Sequence, residues 1–153
     1  EHEVDLEDPR IARVVRRCHA MPGQELFQYE DEDGSVHAVG SSDVNDYIRE
    51  AAGADFTAKD FRTWHGSVHA LGLWAEQCAA DASCRRTANQ LLAEVAKRLG
   101  NTVAVCKKSY VHPRVLETLA TQVDSETLAG LAGRRRAGLN AAERRLLAFL
   151  GHG

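Results

Sequence analysis

Phe61, Trp64, Val68, Leu71 and Trp74 recur at helical spacing behind Thr57-Ala-Lys-Asp60, a capping-box start with Asp in place of Glu. The pattern predicts one long apolar helix reaching toward Cys78, with Trp64 and Trp74 in the core rather than as platforms for bases. Most other segments follow the same helical pattern. Asp8-Pro9 signals a helix start, followed by Ile11, Val14, Val15 and Cys18 at helical spacing, and Pro22-Gly23 ends it. Ser41-Ser42 can cap a helix from about Asp43 to Ala52 that Gly53 stops. After a break near Asp81-Ala-Ser83 comes a helix from about Arg85 to Leu99, stopped by Gly100. Pro113 starts a short helix to about Thr121, and Ser125 and Asn140 cap two more, the last through a capping box, Asn140-Ala-Ala-Glu143. One stretch differs. Glu25–Tyr29 and Ser35–Val39 flank the turn Asp31-Glu-Asp-Gly34 and read as a small hairpin with an acidic tip. Glu1–Leu6 alternates like a strand that lacks its partner, which suggests missing upstream sequence. The expected fold is mainly α, with a small β-hairpin or three-stranded sheet near the N-terminus.

At 153 residues the chain can hold one good core. No apolar run has transmembrane length and no basic-then-apolar leader opens it, so a soluble intracellular protein is expected. Its four cysteines, Cys18, Cys78, Cys84 and Cys106, are too scattered for a disulfide scaffold. A net charge of −3 argues against a generic nucleic-acid binder, but the distribution does not. Residues 1–60 carry 15 acidic and 6 basic side chains, whereas residues 61–153 carry 7 and 13. A basic C-terminal portion is what neutralising phosphate requires.

Within that portion, Leu99–Arg114 gathers Lys107, Lys108 and Arg114, with Lys97 and Arg98 just before it and no acid in between. Tyr110 lies in the middle. A phenol is a weak nucleophile until positive charge favours its ionised form, and the same charge holds an anionic target. Arg62, at the start of the long helix, can offer a planar guanidinium to two phosphate oxygens, although pairing with Asp60 or Glu50 is the plainer reading. His65 and His69 stand i, i+4 ahead of Cys78 and Cys84, but the order and the cysteine spacing do not suit a zinc finger. Cys18, Cys78 and Cys106 are expected to pack as small hydrophobes, and Arg134-Arg-Arg136 to be a solvated linker. There is no P-loop and no acidic metal cluster, so phosphate chemistry here is expected to need no nucleotide, metal or other cofactor.

Three segments in order, Asp55-Phe-Thr-Ala-Lys-Asp-Phe-Arg-Thr-Trp64, Leu99-Gly-Asn-Thr102 and Lys107-Lys-Ser-Tyr-Val-His-Pro113, resemble the catalytic domain of type IB DNA topoisomerases of the small bacterial type. The likeness extends to Pro22–Tyr29 and Asp43–Tyr47, and so covers nearly the whole chain. It implies that residues 1–153 belong to a helical catalytic domain whose upstream DNA clamp and first part are missing. It implies that Tyr110 attacks a phosphodiester of double-stranded DNA, with Arg62 and Asn101 on the phosphoryl oxygens. It also implies that Lys59, Lys107, Lys108 and Arg98 contact DNA. The partner is then duplex DNA, the enzyme a monomer without a membrane role, and the location the cytoplasm, at the nucleoid. The family also uses an upstream arginine and a hairpin lysine that acts as the acid; neither has a match, since Arg13, Arg16 and Arg17 come after that hairpin.

Tyrosine recombinases share this fold and chemistry, but usually show His three residues before the second arginine, where Lys59 stands. A non-catalytic DNA-binding module is the third reading. The Tyr110 segment is expected to be a linker between helices, free to sit away from Arg62 and Asn101 until DNA assembles the site. Without the upstream arginine and the hairpin lysine the chain is expected to fold and bind DNA weakly but not to relax it efficiently; a plasmid-relaxation assay on the 153 residues tests that, and robust turnover would refute it.

Overall fold

A computed structural model describes residues 7–23, 25–79, 86–121 and 134–151, with side chains at 78 and 79 left aside. The expected strand at Glu1–Leu6, the cap at Ser125 and the surroundings of Cys78 and Cys84 lie outside the described residues. The chain divides into two compact units, Glu1–Ala58 and Lys59–Gly153. No helix among the described residues is long and apolar enough to cross a membrane.

The first unit holds α1 (Pro9–His19), β1 (Gln28–Glu30), β2 (Val36–Ala38) and α2 (Ser41–Ala52). Asp8 caps α1, its carboxylate accepting from the Arg10 backbone N–H at 2.8 Å. The hairpin is antiparallel with Tyr29 opposite His37. It is a two-stranded sheet among the described residues, and Gly34 supplies the positive φ, +80°, that its turn requires. Asp31 organises the tip, accepting from the backbone N–H groups of Asp33 and Ser35 and lying 2.7 Å from His37 Nε2. The His37 contact, then these backbone donors, hold the Asp31 carboxyl below its usual range. The α2 start corrects the sequence reading. Gly40, not a serine, is the cap residue; its N–H donates to Asp43 Oδ2 at 2.7 Å, so Ser41 and Ser42 fall inside the first turn. Among the described residues of this unit Gln28 is the buried one, its amide donating to the Pro22 carbonyl, while Ile11, Val14, Phe27 and Tyr47 are exposed.

The second unit contains the core. Its α3 (Ala58–Ala79), which starts at the junction, is the long helix foreseen from the apolar spacing, followed by α4 (Ala88–Leu99), a short α5 (Val103–Val105) that runs into a π-helical turn (Cys106–Tyr110), α6 (Pro113–Thr121) and α7 (Ala141–Gly151). Ala70, Leu71, Leu73 and Trp74 of α3 pack against Leu91, Leu92 and Val95 of α4, Val115 and Leu119 of α6, and Leu146 of α7. Trp74 is buried; Trp64 is only half-buried, because its indole N–H reaches Glu143 at the surface. Cys106 is fully buried, as a small hydrophobe would be.

The helix ends are chemically explicit. α4 begins three residues later than the sequence suggested, because Thr87 and Gln90 form a reciprocal capping box there. Buried Gln77 holds the approach to it, bonding both the N–H and the carbonyl of Arg86. Gly100 ends α4 in the left-handed region at φ +63°. The Asn140–Glu143 box opens α7 as expected, with bonds of 2.8 and 3.0 Å.

Two substitutions separate packing from capping. Leu91→Ala removes a side chain with no exposed surface and is expected to cost about 2–5 kcal/mol. Thr87→Ala is expected to cost about 1 kcal/mol. Urea denaturation of both variants checks the ranking.

Candidate active site

The left-handed turn at Gly100 reverses the chain after α4, so that Asn101 folds back on the helix end. The Asn101 backbone N–H bonds the Ala96 carbonyl at 2.9 Å, and its side-chain amide donates to the Leu99 carbonyl at 2.9 Å. Arg62, on the first turns of α3, donates to that same Leu99 oxygen at 3.1 Å. Two side chains 39 residues apart in sequence therefore converge on one acceptor. Each keeps further N–H donors, since a guanidinium carries five and a primary amide two.

Tyr110 completes the cluster. The Arg62 guanidinium lies over its ring, 5.1 Å from the centroid, in a cation–π arrangement. Arg62 is exposed, while Tyr110 and Asn101 are half-buried, so the group is open to a ligand. The expected linker around Tyr110 is helical instead. Thr102 caps α5, its hydroxyl accepting from Val105 N–H at 3.3 Å, and the chain widens into the π turn that ends at Tyr110. Tyr110 therefore lies against Arg62 rather than away from it.

The other basic residues divide into two groups. Lys59 on the first turn of α3, Arg98 on the last turn of α4, and Lys107 and Lys108 on the π turn are exposed, and no ion pair to a described residue holds them. Arg114, part of the same basic stretch, is committed to structure. It donates to the Leu150 carbonyl at 2.8 Å and lies over the Phe149 ring at 5.2 Å. Arg134, Arg135 and Arg136 are exposed and without helical structure, as expected of a solvated linker.

Burial pushes the Cys106 thiol up, against the opposing pull of the Arg62 charge. It pushes the His69 imidazole down, assisted by Arg98 and opposed by Glu94 and Glu76. Sequence reasoning missed Thr63, Gly66 and Ser67, which contact Ser109, Tyr110 and His112 from α3. Contacts across such separations leave no local pattern to read.

These features define a mainly α-helical core in which one arginine lies over a tyrosine ring and shares a backbone acceptor with a carboxamide. Residues 1–129 match the family model of the eukaryotic DNA topoisomerase I catalytic core, and the chain belongs to that family. It is 38% identical over 112 residues to the DNA topoisomerase 1B of Acanthamoeba polyphaga mimivirus, a match covering 67% of this chain and 33% of the viral protein. The chain thus spans about a third of the curated relative it matches. These matches do not favour the recombinase alternative.

Two residues beyond Arg62, Trp64 fastens α7 to α3 by donating to Glu143 at 3.3 Å. The Asn140 N–H, then the Trp64 indole, with His65 adding a little, outweigh burial and lower the Glu143 carboxyl below the usual glutamate range. A carboxylate depressed in the folded state stabilises the fold above its unfolded pKa, and that contribution is lost as pH falls through the folded value. Urea midpoints measured across the acid range are therefore expected to fall less steeply with decreasing pH in Glu143→Gln than in the parent.

Proposed function

We propose that this chain is catalytic machinery of a type IB DNA topoisomerase, which relaxes supercoiled duplex DNA by cutting and resealing one strand without ATP. The observation that supports the reading best is the arrangement of Arg62: its guanidinium covers the Tyr110 ring and shares the Leu99 carbonyl with Asn101. On this reading Arg62 links the attacking phenol to a second donor for the phosphate oxygens.

In this reading the Tyr110 oxygen attacks a backbone phosphorus as the bond from phosphorus to the 5′ oxygen breaks. The phenol gives up its proton to solvent, the departing 5′ oxygen takes one from solvent and leaves as a hydroxyl, and a 3′-phosphotyrosyl bond remains. Religation is the reverse, the 5′-hydroxyl displacing Tyr110. Negative charge builds on the non-bridging oxygens, where the fixed N–H donors of Arg62 and Asn101 meet it with little reorganisation. Side-chain cations take the part that a divalent ion takes in many phosphoryl transfers. Asn101 donates without titrating, so its role is independent of pH near neutrality. Lys59, Arg98, Lys107 and Lys108 contact the DNA backbone, which positions the duplex but carries no sequence information. The enzyme acts as a monomer, at the nucleoid in the cytoplasm.

Covalent trapping tests the assignment. Incubation with a suicide-substrate duplex is expected to give a protein–DNA adduct that Tyr110→Phe abolishes. Arg62→Ala and Asn101→Ala are each expected to slow adduct formation by about 100- to 1,000-fold. Lys107→Ala is expected to weaken binding to all sequences alike and reduce the salt slope by about 1. An adduct persisting in Tyr110→Phe would overturn the nucleophile assignment, and salt-sensitive binding with no adduct would favour a binding module.

A further inference from the structure

We propose that Thr63, Gly66 and Ser67 of α3 form a cradle that fixes where Tyr110 presents its hydroxyl, making them positioning residues for the nucleophile. The inference rests on the functional reading above. The three stand at i, i+3 and i+4 and so share one stripe of the helix, with Gly66 four residues after Arg62 and Ser67 four after Thr63. Three successive contacts seat the segment Ser109–His112 on that stripe.

The Thr63 hydroxyl lies 3.1 Å from the Ser109 carbonyl and 3.0 Å from the Lys59 carbonyl, and shares its one hydrogen between them. The fully buried Ser67 hydroxyl donates to the Thr63 carbonyl at 2.7 Å and accepts from the His112 N–H at 2.9 Å. Between these two anchors comes Gly66. A Cβ built there would collide with the Tyr110 carbonyl oxygen and would lie 3.2 Å from the Tyr110 carbonyl carbon. Glycine is a poor helix residue, and here its missing side chain is what admits the tyrosine backbone to the helix surface.

The backbone of Tyr110 rests on the same helix that carries Arg62, so the spacing between phenol and guanidinium is set largely within one rigid element. The π turn before Tyr110 belongs to the same arrangement: such turns place an extra residue in the helix and re-aim the chain beyond it. Val111 then leaves in extended conformation, which delivers the His112 N–H to Ser67.

The test pairs DNA cleavage with a spectroscopic measurement that needs no DNA. Gly66→Ala must displace the Tyr110 carbonyl, and a misplacement of about 1 Å can cost about 100-fold in rate. Single-turnover cleavage of a suicide substrate by the 153-residue chain is expected to slow by that order in Gly66→Ala, with the DNA Kd unchanged. Thr63→Val is expected to slow cleavage in the same way, and Thr63→Ser to restore it.

In parallel, the three tyrosines, Tyr29, Tyr47 and Tyr110, are labelled as 3-fluorotyrosine, and Tyr110→Phe assigns the third fluorine resonance. Gly66→Ala and Arg62→Ala are both expected to shift the Tyr110 resonance while the helical circular dichroism and the urea midpoint stay close to the parent's, which checks that the unit carrying α3 is folded. Parent-like cleavage in both Gly66→Ala and Thr63→Val, or an unmoved Tyr110 resonance in Gly66→Ala, would overturn the proposal. A parent chain that forms no adduct would count against the functional reading alone, and the fluorine spectra would still decide whether α3 sets the ring.

Discussion

The carbonyl oxygen of Leu99 is the atom on which the site depends. It ends α4, where the last carbonyls of a helix have no partner within the helix and must find donors elsewhere. Gly100 turns the chain away and leaves this oxygen open to the side chains of Arg62 and Asn101. The C-terminus of a helix is slightly negative, so it attracts a guanidinium as well as accepting its hydrogen bond. One backbone group left without a partner inside its helix thereby gathers two side-chain donors. The same requirement that every polar group be paired shapes both the end of the helix and the site.

The remaining cations are divided by what they are bonded to. Arg114, Arg86 and Arg144 are tied to backbone carbonyls or to an acid. Lys59, Arg98, Lys107 and Lys108 are exposed. Charges already engaged inside the fold add little attraction for a polyanion, whereas solvated ones can exchange their counterions for it. The acidic hairpin tip belongs to the other unit, where Asp31 spends its carboxylate on its own turn and on His37.

Much of the fold was legible because its signals are local. Asp8-Pro9, Gly53, Gly100, Pro113 and the Asn140–Glu143 pair each announce a helix boundary within four residues, and each acts there as expected. Where two capping solutions competed, the boundaries moved. Gly40 with Asp43 displaced the serines, and Thr87 with Gln90 shifted the start of α4. The π turn was not legible, because no residue type within Cys106–Tyr110 marks a change from α to π spacing. Tyr110, Arg62 and Asn101 were found through motifs that resemble a family. Thr63, Gly66 and Ser67 were not, since a glycine and two hydroxyls on a helix gain their meaning only from a segment some 45 residues away.

Arg114 has one more consequence. It lies four residues past Tyr110 and clasps the last turn of α7 through the Leu150 carbonyl and the Phe149 ring. At its other end α7 is pinned by the Trp64–Glu143 bond, close to Arg62 along α3. The terminal helix therefore acts as a strut braced at both ends, one foot tied to the helix that carries Arg62 and the other to the helix that follows Tyr110. A load that pries it loose pulls at once on α3 and α6, the two helices that carry Trp64 and Arg114.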